Sequence, residues 1–114
     1  MKGLSSSVWS VSQLCRAVAD TLDAQFNPVA VQGEISGWSR AASGHCYFSL
    51  KDEGGQVRCA MFRRAAGLMD FSPRDGERVE VRGRLGVYEA RGDLQLIVES
   101  MSRVGQGALF EQFL

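Results

Sequence analysis

Residues Ser43 to Phe62 read SGHCYFSLKDEGGQVRCAMF, and the rest of the chain is organised around them. The pattern predicts two strands, His45–Lys51 and Gln56–Phe62. Between them Asp52-Glu53-Gly54-Gly55 forms a tight turn, because adjacent glycines accept positive φ at little cost. Alternation sorts the side chains. Cys46, Phe48, Leu50, Val57, Cys59 and Met61 make one apolar face. His45, Tyr47, Ser49, Lys51, Arg58, Ala60 and Phe62 make the other, with aromatic rings, hydroxyls and positive charge. Function is expected on this second face.

Upstream, residues 1–9 read as a flexible start. Ser10 and Gln13 have the spacing of a capping box, and Trp9 and Leu14 that of a hydrophobic staple. Val11, Leu14, Cys15, Val18, Leu22 and Phe26 then recur at helical spacing, and Asn27-Pro28 ends the helix. The apolar stripe is expected to pack on the rest of the domain; its polar face lacks the basic residues of a membrane-surface helix. Val29–Trp38 reads as a strand whose alternation breaks at Gly33, a mark of a bulge or barrel corner. A polar loop with Arg40 leads into the central hairpin.

Downstream, Arg63–Phe71 reads as a short helix or turn, and Ser72–Gly76 has turn chemistry. Arg78–Tyr88 is a fourth strand bent at Gly83 and Gly86, with Val79, Val81, Leu85 and Val87 inward. Glu89–Asp93 is a loop. In the fifth strand Leu94, Leu96, Val98 and Ser100 alternate against Gln95, Ile97, Glu99 and Met101. Gly105–Gly107 is a hinge, and Ala108–Leu114 begins a helix that stops in mid-pattern, as if cut from a longer chain. One domain, 10–104, thus lies between a loose start (1–9) and a hinge with the start of a helix (105–114).

The totals bound the function. A chain of 114 residues with 45% apolar content is one small domain with one core. No run approaches membrane-span length and no signal peptide is evident, so a cytoplasmic protein is expected and no membrane partner. The thirteen cations balance thirteen anions. Two are Lys (Lys2 and Lys51), so eleven are Arg, which forks onto phosphate and stacks on rings; a GC-rich genome explains the same bias equally well. Cys15, Cys46 and Cys59 include no CxxC pair and there is a single His, which argues against zinc. Cys46 and Cys59 fall on paired core faces; a disulfide is conceivable, but reduced thiols fit a cytosolic chain better. No nucleophile–base arrangement or carboxylate cluster assembles. No catalytic residue, metal site or cofactor is assigned.

The fold class is therefore mainly β, α+β by content. Five bent strands with a helical insert after the third match an OB-type Greek-key barrel with an added N-terminal helix; an SH3-like barrel is the alternative. Such a barrel binds on strands two and three between its first and fourth connecting loops. On that basis Tyr47 and Phe62 are candidate base-stacking rings, and Arg58 and Lys51 lie beside them. Arg40, Arg82, Arg84 and Arg91 are candidates for an electrostatic track. Each has a plainer reading. Phe62 packs under a loop or helix, Arg82 and Arg84 pair with Glu80 or Glu99, and Trp38 belongs either to the core or to a stacking platform. His45 reads first as a loop anchor that satisfies loop carbonyls, and Asp52-Glu53 as a solvated turn.

The strings GEISG (33–37), SGHCYFSLKD (43–52), QVRCAMFR (56–63), VYEARGD (87–93) and GQGALFEQF (105–113), with VSQLCRAV (11–18) ahead of them, resemble the N-terminal domain of the large subunit of bacterial exodeoxyribonuclease VII. The resemblance implies an OB domain that binds single-stranded DNA. It further implies a parent exodeoxyribonuclease that hydrolyses single-stranded DNA to oligonucleotides, with a catalytic region beyond Leu114. A small helical subunit would be its partner, held more through that missing region than through this domain. FSLKDEGGQVR also resembles the anticodon-binding OB domains of some aminoacyl-tRNA synthetases, whose base-contacting positions fall on Tyr47 and Arg58. Family members carry Asn and an aromatic where Gly37-Trp38 stand here, which leaves Trp38 as the substitute ring, and an aromatic where Leu94 stands. Alternatives from other classes are a subunit-assembly module and a tRNA- or RNA-binding domain.

Overall fold

The computed structural model describes residues 8–104. The flexible start (all but its last residues), the hinge at Gly105–Gly107 and the helix start after it lie outside the described residues. The element order is α1 (Val11–Gln25), β1 (Val29–Arg40), β2 (Cys46–Lys51), β3 (Gln56–Met61), α2 (Arg63–Gly67), β4 (Arg78–Tyr88) and β5 (Asp93–Arg103). The strands close into a barrel in the order β1-β2-β3-β5-β4, the OB arrangement expected from the strand count. β1 turns the corner: Val29–Glu34 pair with β4, and Glu34–Arg40 pair with β2. β3 and β5 run parallel, with Arg58, Cys59 and Ala60 facing Gln95, Leu96 and Ile97.

The core is the inward line of each strand. Ile35, Phe48, Met61, Leu96, Val79, Val81 and Val98 are fully buried. Burial at about 25 cal/mol per Å² makes each of these aliphatic and aromatic side chains worth about 1.5–3 kcal/mol. Cys46 and Cys59 are buried as free thiols among them, as the reduced reading has it, and burial pushes the Cys59 thiol up to about 12.

Two strands change phase where the alternation pattern gives no warning. In β1 the inward line runs unbroken through Gly33, which faces Val79; the close approach of Leu50 and the Lys51 carbonyl leaves no room there for a Cβ. The bulge expected at Gly33 lies instead between Ser36 and Ser39, where Gly37 takes φ +68°. An extra residue flips every side chain after it. Trp38 is thereby turned inward and packs on Phe48, ring centroids 5.1 Å apart. The bulge is held from outside: the Asp75 carboxylate accepts from Gly37 N (3.1 Å) and Trp38 N (2.8 Å).

In β5 the register slips opposite Arg82 and Gly83, leaving Glu99 as the extra residue. Met101 is consequently buried and Ser100 exposed, the reverse of the alternation expected. Gly83 permits this, because a Cβ there would sit 2.0 Å from the Ile97 carbonyl oxygen.

The central hairpin is also closed differently from expectation. Neither Gly54 nor Gly55 has positive φ. The Asp52 carboxylate accepts from Gly54 N (2.9 Å) and Gly55 N (3.0 Å), and Asp52 N donates to the Gly55 carbonyl. An Asx turn replaces the glycine turn, so Asp52 is a structural turn residue and not merely a solvated one.

The capping box on α1 forms in both directions. The stripe does not behave as expected, however. Cys15, Ala17, Ala19 and Leu22 are half-buried, and the helix packs against β4. Val11, Leu14, Val18 and Phe26 stay 43–78% exposed, and Trp9 with Leu14, expected as a staple, are both partly exposed. What fixes the helix is polar. Past Gly83, β4 extends beyond the start of β1, and the Asn27 side chain takes the missing partner's place: its Nδ2 donates to the Leu85 carbonyl (2.8 Å) and its Oδ1 accepts from Leu85 N (2.6 Å). Asn27 also donates to Asp23, which accepts from Arg84 (2.8 Å). The Asn27 amide first, then Arg84, hold the Asp23 carboxyl below its ordinary value.

Candidate nucleic-acid interface

Register across three strands assembles the outward face. Ser49, Arg58 and Gln95 are neighbours in one row, and Tyr47, Ala60 and Ile97 in the next. Because adjacent strands lie about 4.8 Å apart, each row runs unbroken across the barrel. Small residues flank Tyr47 on both sides, Ser39 on β1 and Ala60 on β3; Ala60, expected as an outward residue, is fully covered, and the Tyr47 ring is half-buried. An aromatic set between small neighbours presents a flat surface on which a base can stack.

Arg58 is exposed, and its Nη1 donates to Ser49 Oγ at 2.9 Å. Ser49, expected as an outward polar residue, is nearly buried beneath it. The hydroxyl orients the guanidinium without neutralising it, and four of its five N–H donors stay available to a ligand.

At the end of the face nearest the 41–45 loop, His45 Nδ1 accepts from Arg63 N at 2.9 Å. His45 is thus an anchor, as expected, but it holds the first residue of α2 and not loop carbonyls. Its ring meets Phe62 edge-on at 5.2 Å. Phe62 is 45% exposed, so it is braced on one side and open on the other.

The remaining candidates separate by charge. Arg82 pairs with Glu80 (2.6 Å), Arg84 with Asp23 (2.8 Å) and Arg91 with Asp93 (3.5 Å). Arg82 also lies beside Ala30 and Ser100 on the β1–β4–β5 flank, not on the Tyr47 face. Arg84 is bound into the helix clamp. Among the described residues Arg40, Lys51 and Arg58 make no ion pair, and neither do Arg63 and Arg64, which the sequence reading left unassigned. Arg40 begins the 41–45 loop beside Cys46, and Lys51 closes β2 opposite Gln56. Trp38 is spent on Phe48 and is not a ring on this face. The unassigned contributors Gln95 and Ile97 reach the face through the parallel β3–β5 pairing. Their outward phase is visible in the local pattern, but the pairing joins residues 37 apart and has no local signature. Among the described residues no group of His, Cys, Asp or Glu is arranged to hold a metal ion.

A closed five-stranded barrel whose second and third strands carry an outward ring and cations without an ion pair among the described residues has the architecture of an OB fold. Residues 9–102 match the family of OB-fold nucleic acid binding domains, and the chain belongs to that family. The chain is similar to the exodeoxyribonuclease 7 large subunit of Delftia acidovorans, 82% identical over 107 residues, which covers 94% of this chain and 24% of that protein. It is 52% identical over 105 residues to the same-named protein of Ralstonia nicotianae (92% and 24% covered), and 45% over 104 residues to that of Salinibacter ruber (91% and 26%). The chain spans about a quarter of the length of these curated relatives.

Proposed function

We propose that this chain is the N-terminal, single-stranded-DNA-binding domain of an exodeoxyribonuclease VII large subunit. It holds DNA for hydrolysis to oligonucleotides by a catalytic region outside these residues. The observation that carries the reading is the Ser49-braced, unpaired Arg58 in the row beside Tyr47. A ring and a cation side by side suit the alternating base and phosphate of an unpaired strand, and a duplex hides its base faces. The names of the relatives support the deoxyribonuclease setting. In this reading residues 10–104 are the binding unit and 105–114 lead onward. The small subunit of the enzyme is held elsewhere, and the assembly is cytoplasmic; among the described residues no helix is long and apolar enough to cross a membrane.

Fluorescence anisotropy with a labelled deoxyoligonucleotide tests this. Binding should weaken steeply with salt, as counterion release requires, and Arg58→Glu combined with Tyr47→Ala should remove most of it. Absent or salt-independent binding at low ionic strength refutes the reading. A second reading, a subunit-assembly module, has its own observation in the exposed Val11, Leu14, Val18 and Phe26 of α1. Light scattering separates the two: an oligomer that survives dilution and blocks DNA binding favours assembly.

A further inference from the structure

Between α2 and β5 lies a cleft of about 290 Å³, walled by Phe62, Arg64, Leu68, Ile97 and Glu99. Its volume matches the small end of ligand clefts, roughly 300 Å³. Ile97 stands in the row Tyr47–Ala60–Ile97, which Arg84 of β4 continues, and it also walls the cleft, so the cleft borders the outward face. Phe62 and Leu68 are 45% and 78% exposed there, an apolar surface that no described residue covers. The Phe62 ring is held by His45, itself fixed by the Arg63 amide, so stacking on it orders little that is not already ordered.

Two charges of opposite sign share this cleft without meeting. Among the described residues neither Arg64 nor Glu99 has an ion pair or a side-chain hydrogen bond. Glu99 is the extra residue of the β5 bulge, and bulges commonly re-aim a side chain beside a site. A ligand that fits must offer an apolar plane to Phe62, an anion to Arg64 and a hydrogen-bond donor to Glu99. A nucleotide with an exocyclic amine has all three. Thymine's own donor on that edge, N3–H, lies between two carbonyl oxygens that a carboxylate repels, so it meets Glu99 less well than an amine does.

We infer that the cleft is a base subsite continuing the path of the strand past Tyr47 and Arg58, and that it favours amine-bearing bases over thymine. The inference rests on the single-strand-binding reading above. In this subsite Phe62 stacks the base, Arg64 takes its phosphate, and Glu99 accepts from the amine.

The test is anisotropy on the 114-residue chain with oligo-dC and oligo-dT of about 12 nucleotides, within the range one OB fold covers. Wild type should bind oligo-dC roughly fivefold or more tighter than oligo-dT. Glu99→Gln, whose amide can donate to thymine as well as accept from cytosine, should erase that ratio. Phe62→Ala and Arg64→Ala should weaken both oligonucleotides while circular dichroism stays unchanged. Equal affinities in wild type, or a ratio that Glu99→Gln leaves intact, overturns the subsite; if Tyr47→Ala still weakens binding, the parent reading stands. If wild type binds neither oligonucleotide, or Tyr47→Ala has no effect, the parent reading fails and the subsite with it.

Discussion

Across the β2–β3 pair, Arg58 Nη1 donates to Ser49 Oγ at 2.9 Å, and Ser49 is nearly buried beneath the guanidinium it holds. Arg58 therefore enters a complex with its rotamer already selected. Ser49→Ala should weaken single-stranded DNA binding by a few-fold, through ordering entropy alone, and leave the salt dependence unchanged. Arg58→Ala should weaken it more and reduce the salt slope by about one contact. Titrations at several salt concentrations measure both. A Ser49→Ala variant that changes the slope would show that Ser49 does more than orient Arg58.

Asp75 is the external clasp of the β1 bulge. Asp75→Ala should cost about 1–3 kcal/mol, since two amides lose a charged acceptor. Trp38 reports the same event, because its position on Phe48 depends on the bulge. Urea unfolding followed by Trp fluorescence should show a lower midpoint, and the native emission maximum should shift. An unchanged midpoint would mean that Gly37 alone secures the bulge.

Gly83 and Gly55 are both strand or turn glycines, yet they should respond oppositely to Ala. At Gly83 a Cβ meets the Ile97 carbonyl oxygen at 2.0 Å, and backbone cannot move aside cheaply, so Gly83→Ala should destabilise by roughly 3 kcal/mol or more. At Gly55 nothing lies within 4 Å and φ is not positive; Gly55→Ala should be neutral or stabilise by up to about 1 kcal/mol. Thermal melts of the two variants decide it, and a tolerated Gly83→Ala would refute the bulge geometry of β5.

Cys59 should make the fold sensitive to alkali. Its thiol ionises at about 12 when folded and at about 9.0 when unfolded. Between those values the unfolded state has lost a proton that the folded state keeps, so stability falls as pH rises, by about 1.4 kcal/mol per unit. Below pH 9.0 both states are protonated and the contribution is constant. Urea midpoints of wild type and Cys59→Val from pH 8 to 11 isolate this slope; parallel curves would rule it out.

The same residues show how much of the molecule was legible without coordinates. The capping box, the hairpin strands and the outward phase of Tyr47 and Arg58 are local matters of side-chain type and period. The structure repeats them because spacings of two and three residues are set by backbone geometry. Strand count and order were enough for the OB barrel. Pattern left Trp38 open between core and surface, and it failed at Met101 and Asp52. At Trp38 and Met101 a single extra residue inverts the phase, and in sequence a bulge is indistinguishable from one more strand position. At Asp52 a side-chain acceptor did the work the glycines were expected to do.

The amino-acid sequence by itself determined the central hairpin, its two faces, and the ring and cation at its centre. Only the tertiary structure decided which cations are left to bind. Arg84 looks alike in sequence to Arg40 and Arg58, but Asp23, 61 positions away in the chain, claims it, whereas Arg82 and Arg91 meet carboxylates only two positions away. The parallel pairing of β3 with β5 likewise extended the face to Ile97 and the α2 cleft. Both outcomes depend on which distant residues closure of the barrel brings within a few ångströms, and spacing along the chain does not encode that distance.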